Sequence, residues 1–171
     1  MNHPLIWFDR KFDFNFPIEQ HPNLAARLRG TPARLEELGR NADLTVWRQK
    51  PDGKWSAQEH AGHILDLEDL WLSRVNDFTT GATQLTTADL SNRKTHEANH
   101  NARPLIEIFS AFRAARSRLM RRIESLDPTQ FGGSILHPRL KIPMRLVDHL
   151  YFAAEHDDHH LAAIWSPIQT R

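Results

Sequence analysis

The stretch Tyr151–Trp165 reads Y-F-A-A-E-H-D-D-H-H-L-A-A-I-W, and its period decides what kind of fold the chain adopts. Ala153, Ala154, Leu161 and Ile164, continued upstream by Leu146, Val147 and Leu150, recur at three- and four-residue spacing. That is the pattern of a helix with one buried face. The expected helix starts at Pro143 and runs to about Ile164. On it His149, His156 and His160 fall within roughly 40° of one another at the edge of the apolar stripe, given 3.6 residues per turn. His156 and His160 stand one turn apart on one face, close enough for two imidazoles to share a metal ion. Asp157 falls inside the stripe, so it is expected to find a hydrogen-bonded partner, an indole N–H or an arginine from a neighbouring helix. Its other role would be support of a ligand imidazole.

Working outward, Ser56 and Glu59 form an S-x-x-E capping box with Trp55 just before it, the clearest helix start in the chain. The helix it opens is expected to run unbroken to about Thr79, with Ile64, Leu67, Trp71, Val75 and Phe78 as its apolar stripe. His60 lies within that stripe and His63 on its edge, beside Glu59 and Asp66. A further helix is expected from about Arg103 to Ser125, carrying Leu105, Phe109, Phe112, Leu119 and Ile123 inward. Its arginines, Arg113, Arg116, Arg118, Arg121 and Arg122, read as a solvated face. Upstream, a helix opening at His21-Pro22 is expected to break near Gly30 and restart at Thr31-Pro32, with a cap and a proline at the first position. It ends around Gly39 to Asn41.

The connections are as informative as the helices. Residues 81–101 are polar and form a long crossover, and Ser134 to Ile142 alternates like a small hairpin or flap. Residues 1–20 read as an extended N-terminal arm that packs Trp7, Phe8, Phe12, Phe14 and Phe16 onto the body. The expected fold is therefore all-α, a four-helix bundle with a long crossover connection and an N-terminal arm, residues 1–171 forming a single domain.

Composition narrows the chemistry. The 171 residues include eleven histidines and no cysteine, so disulfides, thiolate ligands and a catalytic thiol are excluded and imidazole and carboxylate are the strong ligands left. Twenty-two Lys and Arg against twenty-one Asp and Glu create no net field for nucleic acid or an anionic membrane. Neither a signal peptide nor an apolar run of membrane-spanning length is visible, so a cytoplasmic protein is expected. The expected partner is a small-molecule substrate; no nucleic acid and no membrane are expected, and a homodimer is left open.

A metal on the His156–His160 pair needs a third ligand, and periodicity alone leaves His60 and His63 as alternatives. His159 is the other partner for His156, in an H-x-x-H pair. His149 is expected to line a pocket or pack, and His3, His21, His96, His100 and His137 read as surface placements in loops or the arm. The metalloprotease motif H-E-x-x-H is absent because Asp157 stands at the glutamate position. A ferritin-like di-iron site fails too, since Glu59-His60 and Glu155-His156 are adjacent rather than three apart.

Four passages carry a resemblance over nearly the whole chain: R-L-R-G-T-P-A-R-L-E-E at Arg27–Glu37, K-W-S-A-Q-E-H-A-G-H-I-L-D-L-E at Lys54–Glu68, H-P-R-L-K-I-P at His137–Pro143 and A-A-E-H-D-D-H-H-L-A-A-I at Ala153–Ile164. They resemble the DinB-like superfamily and, within it, the YfiT-like metal-dependent hydrolases. The resemblance implies a four-helix bundle with one divalent metal ion, nickel or zinc, held by three histidines that fall here on His63, His156 and His160. Three imidazoles leave coordination positions for water or substrate, which suits hydrolysis by activated water. Glu59 and Asp66, flanking His63 at i−4 and i+3, are the candidate general bases, with helix capping and ligand support as their alternative roles. Thiol-dependent S-transfer, known elsewhere in that superfamily, and a non-enzymatic metal-binding stress protein are the alternative functions.

Overall fold

In the computed structural model, which describes residues 4–168, four long helical segments form the bundle. The first, α1 (His21–Gly39), is followed by the short α2 (Leu44–Arg48). The second segment is α3 (Ala57–Asp66) with α4 (Glu68–Asp77), and after the crossover, which carries α5 (Arg93–Glu97), the third is α6 (Leu105–Glu124). A two-stranded antiparallel hairpin, β1 (Ser134–Leu136) with β2 (Pro143–Arg145), leads into the fourth, α7 (Leu146–Ile168). Both α1 and α3 pack on α6 and on α7, so those two lie between the others. No helix among the described residues is long and apolar enough to cross a membrane.

The expected stripes are the buried ones: Leu105, Phe109, Phe112, Leu119 and Ile123 on α6, and Leu146, Val147, Leu150, Ala153, Ala154, Leu161 and Ile164 on α7. The Ser56–Glu59 capping box forms in full. Of the arm's aromatics, Trp7, Phe12, Phe14 and Phe16 dock on the body as expected, with Phe12 on Phe152 at 4.9 Å and Phe16 on Tyr151 at 5.4 Å between ring centroids, whereas Phe8 is left 54 % exposed. Arg145 holds its backbone, donating to the Phe14 and Phe16 carbonyls. His3 lies outside the described residues.

Four expectations are corrected. The second segment is interrupted at Leu67, where ψ opens to −7°, although backbone hydrogen bonds run through the step. Pro143 belongs to β2 and α7 starts at Leu146, because pairing with Ser134–Leu136 keeps residues 143–145 extended and Asp148 then accepts the Arg145 N–H at 2.8 Å. The first helix does not break at Gly30; it continues through Pro32. A proline there has no N–H for the Leu28 carbonyl one turn back. Arg116 supplies the missing donor, its Nη1 lying 2.8 Å from that carbonyl.

Arg116 is itself the fourth correction. Arg113, Arg118 and Arg121 are exposed as expected, but Arg116 is buried, 1 % exposed. Its guanidinium sits between Glu68 (Nη2–Oε1, 2.6 Å) and Asp157 (Nη1–Oδ2, 2.7 Å), and Thr31 donates to the same Asp157 oxygen at 2.7 Å. Asp157 thus faces the core and is paired with an arginine, as its place in the stripe requires. Each bundle segment contributes one of these four polar residues. They separate two apolar clusters, one around Leu28, Trp71, Leu119 and Leu150, the other around Leu35, Ile64, Phe112 and Leu161.

Candidate metal centre

The α3 segment presents His63 and α7 presents His156 and His160 to a common point: one ring nitrogen from each lies within 4.8 Å of the other two, and all three residues are buried. His156 Nε2 and His160 Nε2 are 3.1 Å apart. Two donors each ~2.0–2.1 Å from one ion in tetrahedral or octahedral geometry are separated by about 2.8–3.4 Å, so this pair is already at chelating distance. Burial, reinforced by the neighbouring histidines, pushes His63 down to about 3 and holds His156 and His160 well below the usual imidazole value. The three rings are therefore neutral, the form that binds a cation.

The hydrogen bonds behind His63 fix which nitrogen faces inward. Thr95 Oγ1 donates to Asp66 Oδ2 at 2.9 Å, so the same hydroxyl accepts from His63 Nδ1 at 3.0 Å. The proton is then on Nδ1 and the Nε2 lone pair is free for a metal. Asp66 also accepts from His100 Nε2 at 2.8 Å. Burial of Asp66 would raise its pKa, but the bonds from His100 and Thr95 outweigh that and keep it below the ordinary carboxylate value. His100, expected on the surface, is buried against α3 because residue 62 is glycine: a Cβ there would lie 2.2 Å from its ring.

The remaining histidines divide clearly. His60 is half-buried, and its Nδ1 lies 2.8 Å from His160 Nδ1, which leaves His160 Nε2 facing the cluster. His159 lies tilted beside Trp7 and edge-on to His160 rather than joining the three. His149 packs between Trp71 and Phe78. His137, expected on the surface, is buried in the hairpin loop, where its Nδ1 accepts the Arg139 and Leu140 N–H groups. Of the two flanking carboxylates, Glu59 closes the capping box through Oε2 and pairs with Lys50 through Oε1 at 2.7 Å. Asp66 stands behind His63 as just described.

The histidines form part of the wall of a cavity of about 880 Å³, whose other walls include Trp7 from the arm and Trp71 from α4. Trp7 meets His156 edge-on at 4.9 Å. This contact was not foreseen, because a non-periodic arm gives no indication of which helix face its aromatics reach. Thr95 was missed for the same reason, lying in a crossover without amphipathic period.

The DinB superfamily model matches residues 27–164, a span that includes all three histidines. No curated protein matches the chain significantly. Among solved structures, the chain is similar to YfiT from Bacillus subtilis, described as a probable metal-dependent hydrolase with an unusual four-helix bundle topology, at 19% identity and a TM-score of 0.78. The match covers 92% of this chain and 91% of that one, and at this identity it shows the fold. With the family match spanning all four bundle segments, the chain belongs to the DinB superfamily.

Proposed function

We propose that this protein is a metal-dependent hydrolase of a small-molecule substrate, with one divalent cation, nickel or zinc, on His63, His156 and His160. The observation that carries this reading is the convergence of three buried, neutral imidazoles on one wall of a cavity large enough for a substrate. A fourth protein ligand would mark a structural site; the cluster among the described residues has three, which leaves coordination positions for reactants. When bound, such a cation supplies a Lewis acid and acidifies water toward neutrality. The description of YfiT supports the same reaction class.

The chain's own residues have separable roles in this scheme. Thr95 and Asp66 are positioning residues that hold His63 with its proton on Nδ1. Glu59 secures the start of α3. Trp7 and Trp71 flank His156 and exclude water from that side of the site. The test is turnover of activated esters and amides by chelator-treated protein before and after reloading with nickel or zinc. Hydrolysis restored by metal without added thiol is the expected result. Turnover of electrophiles that needs both metal and a thiol would replace hydrolysis with S-transfer.

A further inference from the structure

The cavity has a second polar feature, away from the three histidines. Arg74 on α4 and Arg139 in the hairpin loop both line it. Arg74 is 2 % exposed, yet it has no carboxylate within 4.0 Å among the described residues. Its Nε donates to the Thr86 carbonyl at 2.9 Å. Asp77, whose charge reaches Arg74, directs its Oδ2 to the Thr86 N–H and hydroxyl. Arg139 Nη2 is buried without any hydrogen-bond partner. Asp89, the one acidic residue lining the cavity among the described residues, turns its oxygens to Ser91 and the Arg93 N–H.

His137 completes the group. Its Nδ1 accepts two backbone N–H groups, so the neutral ring carries its proton on Nε2. That nitrogen lies 3.5 Å from Arg74 Nη1. The contact is between two donors, so it cannot be a hydrogen bond and leaves both without an acceptor there. The Trp71 indole N–H is likewise buried without a partner. Buried donors are costly unless satisfied, and an isolated unsatisfied group calls for a ligand or an ion. Several gathered on one cavity wall, two of them guanidinium groups, describe an anion site.

We propose that the substrate carries a carboxylate, which seats on Arg74, Arg139 and His137 while its apolar portion runs along Trp71 and Phe152 toward the three histidines. This specifies the substrate class for the hydrolase reading and rests on it for the reacting end. Trp71 joins the two ends: its ring centroid is 5.5 Å from that of His156 and 5.6 Å from the Arg74 guanidinium carbon. Arg139 lies over Phe152 at 5.8 Å, so the apolar path reaches the second guanidinium as well. Burial and the nearby Arg139 charge, against the opposing pull of Asp77, lower Arg74 to about 10, the direction expected for a cation that lacks its counter-ion.

Phenylbutyrate and its neutral amide, phenylbutyramide, test this by calorimetric titration into full-length protein, both metal-stripped and metal-loaded. The acid should bind about tenfold tighter than the amide in stripped protein, the scale of one charge-assisted hydrogen bond. Arg139→Met should bring the two to near parity, Arg139→Lys should keep much of the preference, and His156→Ala should leave it intact. Equal affinities in the wild type, no binding of the acid, or a preference that survives Arg139→Met would overturn the proposal. A preference seen only with metal loaded and lost in His156→Ala would place the carboxylate on the cation; the anion site would then be wrong and the hydrolase reading untouched. Retained preference in a protein that never takes up metal would do the reverse.

Discussion

Two arginines of this bundle, Arg116 and Arg74, are withdrawn from solvent, 1 % and 2 % exposed, and have opposite surroundings. Arg116 sits between Glu68 and Asp157 and donates to the Leu28 carbonyl, so its charge is compensated by its own fold. Arg74, one turn beyond Trp71 on the neighbouring segment, has a single backbone acceptor and faces the cavity. The difference separates architecture from function. A closed charge centre fixes how four helices meet, whereas an open one keeps its interactions for a ligand. The same contrast holds among the histidines, where His100 is taken up by Asp66 while His156 and His160 present ring nitrogens to each other and to His63.

The sharpest way to break this comparison is to remove each charge. Arg116→Met leaves two carboxylates buried without a counter-ion and should cost about 3–5 kcal/mol of unfolding free energy in a denaturant titration. Arg74→Met leaves only a backbone carbonyl unpaired and should cost about 1 kcal/mol. Equal losses would mean that Arg74 is as structural as Arg116.

Acid sharpens it further, because the buried histidines of the cavity wall and Glu68 of the closed centre titrate with opposite signs. Burial lowers His60 and His137 to about 4 and His63 to about 3, all below the ordinary 6.5. Their contribution to stability is present above pH 6.5 and is lost as pH falls through those lower values, at roughly 1.4 kcal/mol per unit for a fully buried group. Glu68 runs the other way. Its burial, against the pull of Arg116, raises it from 4.5 to about 7, so its contribution is fully present below pH 4.5 and is lost as pH rises through 7. The metal-stripped protein should lose stability from pH 6.5 to 4. Glu68→Gln should steepen the loss between pH 7 and 4.5 by removing the group that opposes it, and a shallower slope in that variant would contradict the assignment.

Much of this was legible in the sequence where period carries the information. The stripes on α6 and α7, the Ser56–Glu59 box and the core-facing Asp157 all follow from spacing, and His63, His156 and His160 follow from the passages resembling the DinB-like superfamily. Arg116 was misread by chemistry, although its position fits the stripe: Phe112, Arg116, Leu119 and Ile123 are four, three and four apart. The charge spoke for solvent while the spacing spoke for the core. The break expected near Gly30, with a restart at Thr31-Pro32, failed for a related reason, since local rules assume that an unpaired helix carbonyl ends the helix, and here a distant arginine satisfies it. Thr95 and His100 had no period to expose them, and the short alternation through His137 did not say which of its faces is covered. Their places depend on where the crossover and hairpin dock, and on the room that Gly62 leaves.

The metal site itself allows a graded test. Thr95→Val removes the acceptor that holds His63 Nδ1–H and should weaken metal binding about 10–100-fold while leaving the unfolding transition in place. Most direct is elemental analysis of protein purified without an affinity tag, alongside His156→Ala prepared in the same way. The account predicts one nickel or zinc ion per chain in the wild type and none in the variant, with both folded. Metal-free wild type that does not take up either ion on reloading, or a variant that retains the metal, would contradict it.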